Sequence, residues 1–148
     1  IDCPAESASV NFASQLAPLL EAVTLVTLEG DLGAGKTTFV RALLAALGYE
    51  GRVKSPTYAL AEPYRIHGRD IFHFDLYRLA HPEELEFLGL DDYFTGASLC
   101  LVEWADKGEG MLPPADLNLR IDFAGTGRVM TLSALSDNGR SILATFDR

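Results

Sequence analysis

A chain of 148 residues, 48% hydrophobic and 22% charged, has the size and balance of one globular domain, which excludes a disordered or fibrous protein. Its formal net charge of −9 repels a phosphate backbone and its basic residues are scattered, so tight binding of nucleic acid or anionic lipid by this chain alone is not expected. No apolar run approaches the ~20 residues of a membrane span, Ile1-Asp2-Cys3-Pro4 is no signal sequence, and Cys3 and Cys100 make no disulfide framework. A reducing cytoplasm is therefore expected, with no membrane attachment. A trimmed N-terminus is expected as well, because the chain begins without Met.

The elements follow in chain order. Phe12, Leu16, Leu19, Leu20 and Val23 predict an amphipathic helix over residues 10–23, with a kink or break at Pro18. Thr24 to Leu28 is β-branched and apolar, the character of a strand buried on both faces of a parallel sheet, and Gly30 ends it. Residues 36–47 return to helical spacing through Phe39, Val40, Leu43, Leu44 and Leu47, with Gly48 as a stop. Residues 49–64 are turn-rich, with Pro56 and Pro63, and predict a loop followed by a short extended piece.

Ile71 to Phe74 is a second strand, ending at Asp75. His81-Pro82-Glu83-Glu84-Leu85 reads as a helix start that Gly89 closes. Leu99 to Val102 is a third apolar strand, ending at Glu103. The period-2 segments 117–123, 129–135 and 142–146, separated by Gly125-Thr126-Gly127 and by Asp137-Asn138-Gly139, predict antiparallel strands and hairpins at the C-terminal end.

The chemistry concentrates in Gly30-Asp31-Leu32-Gly33-Ala34-Gly35-Lys36-Thr37, which satisfies G-x-x-x-x-G-K-[ST] between a predicted strand and a predicted helix. Glycines let successive amides turn inward at a helix N-terminus, a nest that holds nucleotide phosphates. Gly33, Ala34 and Gly35 would line that nest. Lys36 would neutralise the β- and γ-phosphates, Thr37 would ligate Mg²⁺, and Thr38 would contact the α-phosphate. Such a P-loop also needs an acid at a strand end. Asp75 and Glu103 both qualify; Glu103 is assigned to the metal and Asp75 to the phosphate end.

Lys54-Ser55-Pro56-Thr57-Tyr58 occupies the loop where switch segments sit, although such a stretch is more often an ordinary turn. Trp104 is either a partner-binding aromatic or core. His67, His73 and His81 lack ligand spacing, so they read as structural and zinc is not expected. Asp122-Phe123-Ala124-Gly125 has D-x-x-G form but falls in the hairpin region, and with no [NT]-K-x-D segment GTP is discounted.

With Ser55-Pro56-Thr57-Tyr58, His73-Phe74-Asp75-Leu76-Tyr77-Arg78-Leu79 and Val102-Glu103-Trp104 following the phosphate loop in that order, the chain resembles the bacterial TsaE (YjeE) ATPase family over about residues 5 to 123. The resemblance implies a role in making threonylcarbamoyladenosine beside the anticodon of tRNAs that read ANN codons. It implies ATP hydrolysis on a TsaB–TsaD heterodimer, with tRNA met only through those partners. It makes Thr37 and Glu103 the magnesium pair and Asp75 a nucleotide-site acid. Ser55 to Tyr58 becomes a switch loop and Trp104 a functional position, and Glu6 and Ser9 lie near the adenine. The sequence departs from the family pattern at Ser9, where Thr is usual, and at Ala105, where Pro is common.

The expected fold is a three-layer α/β P-loop NTPase in one domain spanning 1–148, with a mostly parallel sheet extended by C-terminal antiparallel strands. Turnover should be slow in isolation, since Arg78 is the only motif arginine near the site and the switch loop awaits a partner. Two rival readings use the same cradle. A small-molecule kinase would add a substrate pocket and an arginine-bearing lid, which the sequence lacks. A nucleotide-switched interaction module would make hydrolysis incidental.

Overall fold

The computed structural model describes residues 2–3, 5–31, 33–53, 56 and 60–146. Seven strands form one sheet in the order β1-β7-β6-β2-β5-β4-β3. Its centre is a parallel block of β6 (Leu117–Ala124), β2 (Leu25–Glu29), β5 (Leu99–Glu103) and β4 (Arg69–Asp75). Antiparallel strands flank it: β3 (Ala61–Ile66) on one side, and β7 (Gly127–Ala134) with the short β1 (Asp2–Cys3) on the other.

The central strands are apolar on both sides because both faces are covered, and alternation sends successive residues to opposite layers. Val26, Leu28, Leu99 and Leu101 face a core built with helices α1 (Glu6–Leu16), α2 (Lys36–Leu47) and α3 (Asp137–Phe146). Phe12 of α1 joins the three helices, its ring 5.9 Å from Phe39 of α2 and 5.5 Å from Phe146 of α3. Leu25, Cys100, Val102 and Phe74 face the other way, into a second core closed by 3₁₀ turns at Pro82–Leu88, Leu90–Asp92 and Ala105–Gly108. The result is the expected three-layer α/β arrangement.

Several sequence expectations are corrected in detail. The first helix starts at Glu6 and ends at Leu16; Pro18 then sits in a 3₁₀ turn, Ala17–Leu19, so the break falls where proline removes the donor. The segment after Pro82 is 3₁₀ rather than α, with Gly89 beyond it at φ +68°. Pro63 lies inside β3, an edge strand where a missing N–H is tolerated, and β3 and β4 form a hairpin about His67-Gly68 that the sequence reading did not anticipate.

The largest correction is at the C-terminal end, where residues 142–146 and the Asn138-Gly139 pair belong to α3, not to a hairpin. Ser136 starts that helix: its hydroxyl accepts the Gly139 N–H at 3.1 Å and donates to Asp116 Oδ1 at 2.6 Å. Ile142 and Phe146, four apart, then reach the core together.

Candidate phosphate-binding site

The site grows from the end of β2. Buried between β5 and β6, this strand delivers the chain to Gly30, whose missing side chain is required: a Cβ there would lie 2.6 Å from the Ile121 carbonyl oxygen. Gly33 and Gly35 are needed for a different reason. Nothing lies within 4 Å of a Cβ at either, but their φ values of +81° and +108° are left-handed. Gly35 is the N-cap of α2 and, having no side chain, makes no capping bond, so the first-turn amides of Lys36, Thr37 and Thr38 are left for a ligand at the electropositive end of the helix.

Lys36 is almost wholly buried, and its ammonium donates to the loop's own carbonyl oxygens, those of Gly30 and, at 3.3 Å, Asp31. It also lies 4.1 Å from the Trp104 ring centroid. Within the first turn of α2, the Thr37 hydroxyl donates to Glu103 Oε2 at 3.2 Å. Glu103 ends β5 with 3% exposure, and the same oxygen lies 2.5 Å from His73 Nε2. Asp75 is registered directly opposite Glu103 at the end of β4, and its Oδ1 accepts the Tyr77 N–H at 3.0 Å. Burial pushes the Asp75 carboxyl above the usual carboxylate range. The Tyr77 hydrogen bond opposes that rise, while the charge of Glu103 adds to it.

Trp104 leaves β5 with φ +58°, unusual for a residue with a side chain, and its ring tilts against that of Tyr77 at 5.0 Å. Glu6 and Ser9 of α1 line a cavity of about 290 Å³ with Ala34, Gly35, Thr38 and Arg128. A second cleft of about 440 Å³ opens on Thr27, Glu29, Lys36, Trp104 and Arg120. Pro56 is buried, whereas Ser55, Thr57 and Tyr58 of the expected switch loop lie outside the described residues.

The structure thus brings together Gly33, Ala34, Gly35, Lys36, Thr37, Thr38, Asp75, Glu103 and Trp104, with Glu6 and Ser9 along one flank. Two residues join them that sequence reasoning passed over. His73, which its spacing reads as structural, shares a sheet face with Asp75, two residues on, and meets Glu103. Arg128 of β7 donates from Nε to the Ala34 carbonyl oxygen at 2.8 Å, bracing the phosphate loop from a strand far away in sequence.

Among the described residues no group of three or more His, Cys, Asp or Glu could hold a metal ion alone. The oxygens of Thr37 and Glu103 nevertheless converge as hard donors of the kind Mg²⁺ accepts when phosphates supply the rest.

A buried parallel strand, a glycine loop and an uncapped helix over a strand-end acid define a P-loop NTPase fold. The family model described as "Threonylcarbamoyl adenosine biosynthesis protein TsaE" matches residues 3–130. The chain belongs to the TsaE family. It is 48% identical to the tRNA threonylcarbamoyladenosine biosynthesis protein TsaE of Haemophilus influenzae over 148 aligned residues, covering 97% of this chain and 94% of that protein. It is 43% identical to the TsaE of Bacillus subtilis over 114 residues, 76% of this chain and 71% of that one. The crystal structure of Bacillus subtilis YdiB superposes with a TM-score of 0.81 at 32% identity, covering 97% of this chain and 90% of that one.

Proposed function

We propose that this chain binds ATP·Mg²⁺ on Gly30 to Thr38 and hydrolyses ATP slowly, as an accessory component of the machinery that makes threonylcarbamoyladenosine in tRNA. The family places it in that biosynthesis; the nucleotide, the hydrolysis and the partners are inferred. The observation that carries the reading is the convergence of Thr37 and Glu103, 3.2 Å apart, beside an uncapped helix N-terminus whose loop glycines leave the cradle open.

In this reading the first-turn amides of α2 hold the phosphates, and Lys36 exchanges its loop carbonyls for phosphate oxygens. Magnesium, when bound with the nucleotide, supplies charge neutralisation at the β- and γ-phosphates, and Thr37 and Glu103 would hold it. Asp75 stands beside them as the acid that orders the attacking water. Glu6 and Ser9, along the flanking cavity, would meet the adenine end of ATP or ADP.

The acidic chain leaves tRNA contact to partners, for which the family resemblance names TsaB and TsaD. Trp104, beside Lys36, and the half-exposed Tyr77 are the surface through which those partners would act, and the family resemblance gives the segment Ser55 to Tyr58 the role of a switch. A cytoplasmic location suits this role, and no helix among the described residues is long and apolar enough to cross a membrane.

Turnover measured with and without a TsaB–TsaD complex tests the reading. Stimulation together with complex formation is expected; neither occurring would overturn it. Glu103→Ala separates hydrolysis from switching: the variant should bind ATP yet fail to support modification in a reconstituted reaction. Full modification by it would show that binding alone suffices.

A further inference from the structure

His73 sits at the middle of β4 with no exposed surface, on the sheet face that carries Ile71 into the core beneath the helices. Its Nε2 is 2.5 Å from Glu103 Oε2, while its Nδ1 is buried without a hydrogen-bond partner. Glu103 Oε2 accepts from Thr37, and an Nε2–H donated to the same oxygen leaves Nδ1 as the ring nitrogen with nothing to meet it. A leucine or phenylalanine would fill this core position without an orphaned nitrogen. What the histidine adds is the hold on Glu103, whose Oε2 also receives the Thr37 hydroxyl.

On the β4 side the strand neighbour Asp75 is a carboxylate and repels the Glu103 side chain, while the Leu76 amide holds only the Glu103 backbone carbonyl. Left with Thr37 alone, a buried carboxylate at the end of a strand would turn toward solvent. We propose that His73 is a positioning residue, whose Nε2–H locks the Glu103 carboxylate against the Thr37 hydroxyl in the orientation that accepts the nucleotide's magnesium. This rests on the ATP·Mg²⁺ reading of the site. The histidine touches neither nucleotide nor metal; it acts through Glu103, as partners behind metal-binding groups do elsewhere.

The test is ADP binding by calorimetry, first in EDTA and then across a magnesium series, on the full chain and on His73→Phe and His73→Gln. In the parent chain, magnesium should tighten ADP binding with a defined midpoint concentration. Absence of any magnesium effect there would count against the site reading itself, a different failure from that of His73. In His73→Phe the midpoint should rise about tenfold, while metal-free affinity stays within about twofold. In His73→Gln, whose amide reaches the place of Nε2, it should return to within about threefold of the parent value.

An unchanged midpoint in His73→Phe overturns the proposal, and so does an equal loss of metal-free and magnesium-dependent affinity, which would mark a packing role only. Thermal melts establish that each variant is folded. Should His73→Phe not fold, His73→Asn, smaller and with an amide too short to reach Oε2, gives the same comparison and should show the same raised midpoint.

Discussion

Arg128 donates from Nε to the Ala34 carbonyl oxygen at 2.8 Å and from its terminal nitrogen to that of Gly33 at 3.4 Å, so a side chain of β7 grips the backbone of the phosphate loop. The guanidinium rests on the Phe123 ring at 4.3 Å, which fixes it from behind. Holding these two carbonyls fixes the loop backbone that carries the cradle's amides. Arg128→Ala is expected to weaken ADP binding by about three- to tenfold, with stability falling by less than about 1 kcal/mol. Arg128→Lys should not restore affinity, because one ammonium cannot reproduce a fork across two carbonyls. Calorimetric titration with thermal melts checks both statements.

Lys36 and Trp104 form the second relationship with a direct readout. The ammonium lies 4.1 Å from the centroid of the only tryptophan in the chain. Phosphate binding must draw Lys36 off the Gly30 and Asp31 carbonyls and so change the surroundings of that ring. Saturating ADP with magnesium is therefore expected to shift the intrinsic tryptophan emission. Lys36→Ala should alter the ligand-free emission, abolish the ADP response and weaken ADP binding by at least about tenfold. An unchanged spectrum on saturation of the parent chain would mean that Lys36 stays where it is.

The cradle was legible because its requirements are local: backbone angles that only glycine adopts readily, a lysine and a threonine at fixed offsets, and a strand and helix on either side. Asp75 and Glu103 were legible as polar residues that close apolar runs. His73 could have been found by strand alternation, which puts it on the face of Asp75. Its pairing with Glu103 depends on β4 and β5 being neighbours, which no local pattern states. Arg128 reaches the loop from β7, one strand beyond the β6 that borders β2, and leaves no sequence signal at all. At the C-terminal end two local signals compete: Asn138-Gly139 favours a turn, while Ser136-Asp137 favours a helix start. The four-residue spacing of Ile142 and Phe146 decides for the helix once a core exists to receive them.

Asp116 carries the pH dependence of that end of the molecule. Burial pushes its carboxyl upward. Hydrogen bonds from the Ser136 hydroxyl, the Thr24 and Leu25 amides and the Thr24 hydroxyl outweigh burial, holding it below the usual carboxylate range. A pKa depressed by folding stabilises above the unfolded value, near 4, and that contribution is lost as pH falls through the folded value. The melting temperature is expected to fall below about pH 4. Asp116→Asn should lose about 2–3 kcal/mol at pH 7, with the gap to the parent narrowing in acid. Melting curves from pH 7 down to pH 2.5 check the sign; a gap that widens in acid would contradict it.

Gly139 tests whether α3 is held by close backbone approach. A Cβ at this position would come 2.1 Å from the Asp116 carbonyl oxygen and 3.3 Å from Leu117, and backbone cannot withdraw as the tip of a flexible side chain can. In an exposed helix alanine would stabilise relative to glycine by about 1 kcal/mol. Here the clash must win, since α3 would have to lift away from β6 and loosen Ile142 and Phe146 from the core they share with Phe12. Gly139→Ala is expected to destabilise by about 2–3 kcal/mol, lowering the melting temperature by roughly 5–10 °C. ADP affinity should change little, because α3 packs against β7 and the core around Phe12. A variant that melts at or above the parent temperature would show that the helix does not pack so closely against Asp116.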